Sequence, residues 1–298
     1  MGRKAKPLQQ QIDKLRQRGM RIDDPEKAGH ILLEVGWYRM SFYWFPFETR
    51  YPDRMNPYHE FRRGTSFEDA LMLYAFDFNL RNTLLKPLER IETAFRTYVI
   101  YTVSSRYPNI PEWFADPRVV TPVHARQFER AVYAPMRKMN PEIILHHRRF
   151  PHDRFAPAWK TLEFLTFGAI FNLYESLLSD SLKLDIARHF GIHSLDTFLS
   201  YMEIIRALRN LCAHGNVLYS YRPAAVRVNE ISEVSHNSHT PQLPRNLAGA
   251  MKVVEHFLGI ISNRLLKEFR HNLKDIVATF ATQPGTAKVL RHTSGFSL

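Results

Sequence analysis

The chain has 298 residues, of which 45% are apolar and 23% are charged, a balance that is typical of a soluble globular protein. Lys and Arg number 41 against 29 Asp and Glu, and the net charge of +12 favours nucleic acid as a partner, with an anionic membrane surface second. The single cysteine, Cys212, excludes an intrachain disulfide, and the N-terminus lacks the apolar segment of a signal peptide. No apolar stretch is long enough to cross a bilayer, so we expect a cytoplasmic protein without a membrane partner.

The N-terminal third shows clear helix signals. Apolar spacing and an Asp-Pro start predict helices over 8–18 and 25–36, followed by a dense aromatic block over 37–47 and a loop over 51–64. Ser66 and Asp69 are spaced as in a capping box. They open the longest predicted helix, which runs to about residue 105 and contains Pro87 as a candidate kink.

The remaining two thirds also show helical periodicity. After a proline-rich connector, helices are predicted over 123–139, 158–178, 181–190, 195–213, 247–269 and 273–280. Residues 216–246 lose the periodicity and are interpreted as an ordered loop or short hairpin. No alternation of strands with helices is visible, so the fold class is all-α. We expect one domain over 1–282 and a flexible C-terminal tail over 283–298.

The end of the helix predicted over 195–213 carries a polar strip. Arg206, Asn210 and His214 lie four residues apart, and each such step turns only about 40° around a helix. Arg209 is further round the helix, but its long side chain can return to the same place. Gly215 follows at once and marks the helix end. These four polar residues are therefore expected to meet near a helix terminus.

These residue types suit the cleavage of RNA. An imidazole transfers protons near neutral pH, a guanidinium holds phosphate through two hydrogen bonds, and an amide orients a hydroxyl or phosphate oxygen. RNA supplies its own nucleophile, the 2′-hydroxyl, so Arg209, Asn210 and His214 suffice for transesterification to a 2′,3′-cyclic phosphate without a metal. A second set from another subunit would complete the acid–base pair. Tyr219 and Arg222, in the loop that follows, are candidate RNA contacts.

Three further places hold candidate site residues with more than one interpretation. In the aromatic block, Arg39 could hold phosphate while the rings stack on bases, or the block could pack in the core. Arg96 could belong to a helical ion-pair network or face the cleft. His146 and His147 lie beside two arginines and could grip RNA or, less readily, supply a second catalytic histidine.

Metal and nucleotide cofactors are not expected. The histidines show no metal-ligand spacing with a convincing third ligand, and His236 and His239 lie in a polar segment that we expect to be exposed. No glycine-rich phosphate-binding loop is present, which disfavours an ATPase or a dinucleotide enzyme.

The motif and several blocks resemble a known family. Arg-Asn-x-x-x-His over 209–214 resembles the Arg-x4–6-His signature of the HEPN superfamily, whose catalytic members are metal-independent ribonucleases. Its form Arg-Asn-x-Cys-Ala-His resembles the Abi-like abortive infection family of the AbiD and AbiF type. Blocks at 31–47, 76–96 and 157–168 resemble other blocks of that family in the expected order. Three departures are Phe42 for a glycine, His146-His147 for a His-Tyr pair, and Gly215-Asn216 for a His and an Arg.

The resemblance implies a HEPN-like helical bundle with additional N- and C-terminal helices and a HEPN-like core at about 66–215. It further implies a homodimer that joins two motifs, a role in phage defence or as a toxin, and an antitoxin RNA or protein in some members. We expect a metal-independent endoribonuclease. The alternatives are a non-catalytic RNA-binding module and a protein-interaction subunit in which the motif only caps a helix. Gly215-Asn216 bears on cleavage rate and substrate range more than on the fold.

Overall fold

The computed structural model describes residues 5–224 and 244–297 of the chain. The pair His236 and His239, and residues 225–243 of the predicted loop or hairpin, lie outside these ranges. Within them the protein is helical, and its only strand-like pairings are isolated bridges such as the one between Val120 and Leu177. The all-α prediction is confirmed.

The α-helices, in chain order, are α1 (Leu8–Gln17), α2 (Pro25–Glu34), α3 (Trp37–Trp44), α4 (Phe67–Arg106), α5 (Pro122–Gln127), α6 (Ala134–Met139), α7 (Pro141–Arg149), α8 (Ala158–Thr161), α9 (Phe167–Ser176), α10 (Asp180–His189), α11 (Leu195–Ala213), α12 (Leu247–Ile261), α13 (Asn263–Phe280) and α14 (Pro284–Val289). Two π-helical segments, Phe128–Tyr133 and Leu290–Ser294, join or extend these helices. Short 3-10 turns lie at Phe45–Phe47, Trp113–Ala115 and Leu162–Phe164.

The centre of the fold is α4, which is 40 residues long. The predicted capping box is present, because the Ser66 hydroxyl accepts from the Asp69 N–H and the Asp69 carboxylate accepts from the Ser66 N–H. The helix continues through Pro87. It packs against α3, α11 and α13, and its buried face adds Phe76, Leu80 and other apolar residues to one continuous core. Among the described residues, no helix is both long enough and apolar enough to cross a membrane.

Three helix boundaries differ from the sequence prediction because side-chain caps create breaks. Asn140 accepts N–H groups from the first turn of α7, a helix that periodicity did not predict, and Pro141 occupies its first position. Thr166 caps α9 and divides the helix predicted over 158–178. Ser262 caps α13 and divides the helix predicted over 247–269. At these three places a capping side chain marks the helix boundary better than the apolar pattern does.

The C-terminal residues correct an expectation. Residues 284–294 are helical, whereas we expected the tail over 283–298 to be flexible. Leu290 and Phe296 are buried, and the ring centroids of Phe296 and Phe76 are 5.9 Å apart. Ser294 donates a hydrogen bond of 2.7 Å to the carbonyl of Tyr219. The apolar side chains, scattered among Gly, Thr and Ser, find a core surface that local periodicity cannot show.

Candidate active site at the end of α11

The motif occupies the C-terminal end of α11, as predicted. His214 is the residue that ends the helix, and its N–H still donates to the Asn210 carbonyl at 3.0 Å. Gly215 then adopts a φ of +64°, in the left-handed region that glycine tolerates best. The Asn216 N–H donates back to the Leu211 carbonyl at 2.8 Å, which closes the helix end. The chain therefore turns away directly behind His214.

The side chains of Asn210 and His214 are exposed. Among the described residues, neither side chain has a hydrogen-bond or ion-pair partner. Cys212, which lies between them in sequence, points into the core, and burial raises the pKa of its thiol to about 12. The polar groups of the motif thus face solvent while its cysteine is a packing residue.

Arg209 is held by an ion pair with the central helix. Its Nε lies 3.4 Å from Glu92 Oε2, and its side chain is 35% exposed. Glu92 also accepts from Arg96 at 2.7 Å, and Arg96 donates to the Leu165 carbonyl at 2.8 Å. Glu92 therefore joins Arg209 of α11 to Arg96 of α4. Arg96 is a member of the predicted ion-pair network, and its side chain is only 11% exposed.

Arg206 makes its contacts with Glu203 and Phe171. Its guanidinium makes a two-pronged ion pair with Glu203, one turn earlier on α11, with the shorter contact at 2.6 Å. It also lies over the ring of Phe171, 5.7 Å from the centroid. Both partners of the Arg206–Glu203 pair are exposed enough for the pair to contribute less than about 1 kcal/mol to stability. Arg206 shares a helix face with Asn210 and His214, but among the described residues no hydrogen bond or ion pair joins it to either.

A buried polar cluster holds the loop that follows the motif. Asp77 of α4 accepts the N–H groups of Leu218 and Tyr219, each at 2.7 Å. Arg81, one turn on, lies 3.5 Å from the Asp77 carboxylate and donates to the Asn216 carbonyl at 3.2 Å. Burial raises the pKa of Asp77 to about 6, and these hydrogen bonds and the Arg81 charge oppose that rise in part. Asp77 and Arg81 therefore fix the backbone just behind His214.

This role of Asp77 and Arg81 was not predicted from the sequence. The signal was present, because an Asp and an Arg four residues apart interrupt the apolar face of a long helix. Tyr43 completes the cluster: its hydroxyl donates to Asp77 at 3.2 Å. A buried pair of this kind needs hydrogen-bonding partners from other segments.

Tyr219 was expected to contact RNA, and the structure places it in the core. Its side chain is buried, and its hydroxyl donates to the Phe42 carbonyl at 2.7 Å. Arg222, three residues later, is exposed. The loop after the motif thus contributes one packing tyrosine and one arginine that solvent can reach.

Arg39 lies against the end of the motif helix. Its guanidinium donates to the Gly215 carbonyl, the first carbonyl after His214. The aromatic block around it has a buried face and an exposed face. Tyr43 and Trp44 are buried in the core, whereas Tyr38 is 76% exposed and the rings of its neighbours are partly exposed. The block therefore packs the core with one face and presents rings beside the motif with the other.

His146 and His147 lie in another part of the molecule, on α7. His146 is buried, with its Nε2 3.1 Å from Asp153 Oδ2. His147 Nε2 lies 2.8 Å from the Tyr133 hydroxyl, and burial, followed by the Arg137 charge, lowers the pKa of His147. The contacts of both histidines are with the segment 133–153 and include no residue of the motif. Among the described residues, no cluster of three or more His, Cys, Asp or Glu could hold a metal ion.

The protein is all-α, and its exposed polar motif lies at the end of a helix that an ion pair joins to the central helix. The family described as Abi-like protein matches this chain over residues 30–220. The match covers more than half of the chain, which therefore belongs to the Abi-like protein family. No curated protein and no solved structure matches the chain. Membership suggests a role in abortive infection and is compatible with nuclease activity.

Proposed function

We propose that this protein is a metal-independent endoribonuclease of the HEPN type, acting in phage defence or as a toxin. One observation carries the proposal: the exposed His214 ends a helix whose last two turns also present Asn210 and Arg209. The backbone behind His214 is fixed by Asp77, which is fully buried. Exposed reactive groups on a fixed backbone are what preorganised catalysis requires.

Each motif residue has a role in the proposed reaction. The 2′-oxygen of RNA forms a bond to the adjacent phosphorus, and the bond from phosphorus to the 5′-oxygen breaks. A base removes the proton of the 2′-hydroxyl, and an acid delivers a proton to the leaving 5′-oxygen. His214 serves as the base or the acid for one of these transfers. Arg209 stabilises the charge on phosphate, and Asn210 orients a phosphate oxygen. The transfer that remains requires a second histidine, which a homodimer would supply.

The ion pair of Arg209 fits this role. Among the described residues Glu92 is its sole ionic partner, and the contact is made through Nε. The terminal nitrogens of the guanidinium, on a side chain that is 35% exposed, can therefore meet a phosphate without breaking the pair. Glu92 thus acts as a positioning residue.

Family membership supports the biological setting. A ribonuclease that acts in abortive infection must be restrained until infection, so we propose that an antitoxin RNA or protein restrains this one. The net charge of +12 supports RNA as the substrate. Arg222 would contact the substrate from the loop behind His214.

A comparison of two histidine variants tests the proposal. His214→Ala and the matched control His152→Ala each remove one exposed imidazole. We expect both variants to melt within a few degrees of the wild type, because exposed substitutions change stability by only about 0.5 kcal/mol. In EDTA, labelled RNA should be cut by the wild type and by His152→Ala, and at least about 100-fold more slowly by His214→Ala, since general acid–base catalysis contributes at least that factor.

Two results would contradict the proposal. Equal cleavage by both variants would remove His214 from the chemistry. Salt-sensitive RNA binding with no cleavage by any of the three proteins would favour the non-catalytic RNA-binding module instead. The basic, partly aromatic surface around Arg39 makes that module the second candidate.

A further inference from the structure

A groove lies directly beside the end of the motif helix. It has a volume of about 1260 Å³ and is lined by α3, by parts of α1 and of the segment 54–59, and by residues 216–220. Arg39 lines the groove and also donates to the Gly215 carbonyl. Asn216, two residues after His214, is another lining residue. The groove therefore begins where the candidate active site ends.

Aromatic rings and cations alternate in the lining of the groove. Tyr38 is 76% exposed, and Trp37 and Phe42 are partly exposed. Lys14 lies over the Trp37 ring at 5.9 Å from its centroid, and Arg54 lies over the neighbouring Phe45 at 5.5 Å. Cations placed beside rings are typical of surfaces that take a base and its phosphate together.

The charge of the groove is strongly positive. Among the described residues, the lysines and arginines that line it are Lys6, Lys14, Arg18, Arg39 and Arg54, against the carboxylate of Glu48. That carboxylate is buried and is already paired with His59 at 3.0 Å. A polyanion therefore meets cations and rings along this groove, and in the part of the chain that the structure describes no exposed carboxylate lines it.

We propose that this groove binds an unpaired segment of RNA, which runs from Tyr38 past Arg39 toward His214. Bases in a duplex are already stacked on one another, so only unpaired bases can stack on exposed rings such as Tyr38. The inference rests on the proposed function for the step at His214. It adds a substrate class: RNA with several unpaired nucleotides on one side of the bond that is cut.

Binding of an RNA that cannot be cut tests this directly. The probe is a fluorescent 12-nucleotide RNA with 2′-O-methyl groups throughout, which removes the proposed nucleophile, and its affinity is measured by anisotropy. Tyr38→Ala and Arg54→Ala are the test variants. Tyr101→Ala on α4 and Arg126→Ala on α5 are matched controls, because each also removes an exposed side chain of the same type, outside the groove.

We expect Tyr38→Ala to bind the probe about tenfold more weakly than the wild type, which is within the range for one lost base stack. Arg54→Ala should also bind it more weakly, because a cation that faces the phosphates is lost, and the controls should bind it normally. The same probe annealed to its complement should bind the wild type about tenfold more weakly. Melting temperatures of all variants should agree within a few degrees, since every side chain that is replaced is exposed.

The outcomes separate this inference from the proposed function. If Tyr38→Ala and Tyr101→Ala bind the probe alike, or if the duplex binds as well as the single strand, the groove is not the RNA site even if His214 cuts RNA. If the test variants lose binding while no protein cuts natural RNA, the groove stands and the endoribonuclease proposal fails. Loss of binding to phosphatidylserine vesicles in Tyr38→Ala, with RNA binding unchanged, would assign the groove to a lipid surface and overturn the inference.

Discussion

Replacement of Asp77 by Asn keeps the shape of the side chain but removes the charge that holds the backbone behind His214. The two carboxylate oxygens accept one N–H each, from Leu218 and from Tyr219. An amide has one acceptor oxygen, so its NH2 group must face one of these donors. The cost of an unpaired buried donor is about 1–3 kcal/mol. The stranded charge of Arg81, which is buried, costs about 3–5 kcal/mol more.

Part of this loss is offset because the buried charge is itself unfavourable. Burial raises the pKa of Asp77 from an ordinary 3.8 to about 6. This rise is already the balance of burial against the N–H donors and the Arg81 charge, so the neutral Asn avoids a net electrostatic cost at pH 7. We therefore expect the loss in the free energy of unfolding for Asp77→Asn to be about 3 kcal/mol, the lower bound for breaking a buried ion pair. Urea unfolding followed by circular dichroism measures this difference.

The pH dependence of the same variant has a definite sign. Between pH 3.8 and about 6 the folded protein binds more protons at Asp77 than the unfolded chain does, so protonation of Asp77 stabilises the wild type as pH falls. That stabilisation is lost as pH rises through about 6, and Asn does not titrate. The stability gap between wild type and variant should therefore widen by about 1 kcal/mol from pH 7 to pH 5. A gap that stays constant or narrows would refute the reasoning.

Three other substitutions or treatments test the framework of the site. In Glu92→Gln the neutral side chain cannot hold two guanidinium groups, so Arg209 keeps its charge but loses its orientation toward the phosphate. We therefore expect kcat for RNA cleavage to fall about tenfold while KM does not rise. Gly215→Ala should lower stability by more than about 1 kcal/mol, because φ is +64° and the added Cβ would lie 3.3 Å from Arg39. Gly215→Asn should cost less, because Asn adopts the left-handed backbone more readily than Ala. Cys212, buried and with its thiol pKa at about 12, should resist alkylation at pH 8 until the protein is unfolded in urea.

Each of these has a clear contrary result. An unchanged kcat in Glu92→Gln would show that the ion pair with Arg209 is not needed for catalysis. Equal stabilities of the Ala and Asn variants at Gly215 would mean that the left-handed backbone is not what matters there. Alkylation of Cys212 in the folded protein at the rate of a free thiol would contradict its burial.

The helical framework could be predicted wherever the signal is local. The capping box at Ser66 and the long helix that follows were predicted from spacing alone, and the structure confirms both. The bounds of the motif helix, 195–213, were also predicted correctly, because an apolar stripe runs from its start and Gly215 ends it. Such signals depend only on residues within a few turns of each other.

What could not be predicted depends on which segments meet. Nothing local shows that Arg209 pairs with Glu92, which is 117 positions away, or that Asp77 accepts the N–H groups of the loop behind His214. Tyr219 was expected at the RNA surface for the same reason, since a tyrosine in a polar loop shows its burial only once its packing partners are known. The sequence could therefore identify the reactive groups but not the framework that positions them.

The central claim, that RNA is cut by its own 2′-hydroxyl with His214 moving a proton, is tested most directly by the ends of the products. The wild-type protein is incubated in EDTA with an RNA whose principal cleavage site has been mapped, and in parallel with the same RNA carrying a single 2′-deoxynucleotide at that site. The account predicts 2′,3′-cyclic phosphate and 5′-hydroxyl ends by mass spectrometry, and loss of that one cut in the deoxy substrate. Products with 5′-phosphate ends, or undiminished cutting at the deoxy position, would contradict it.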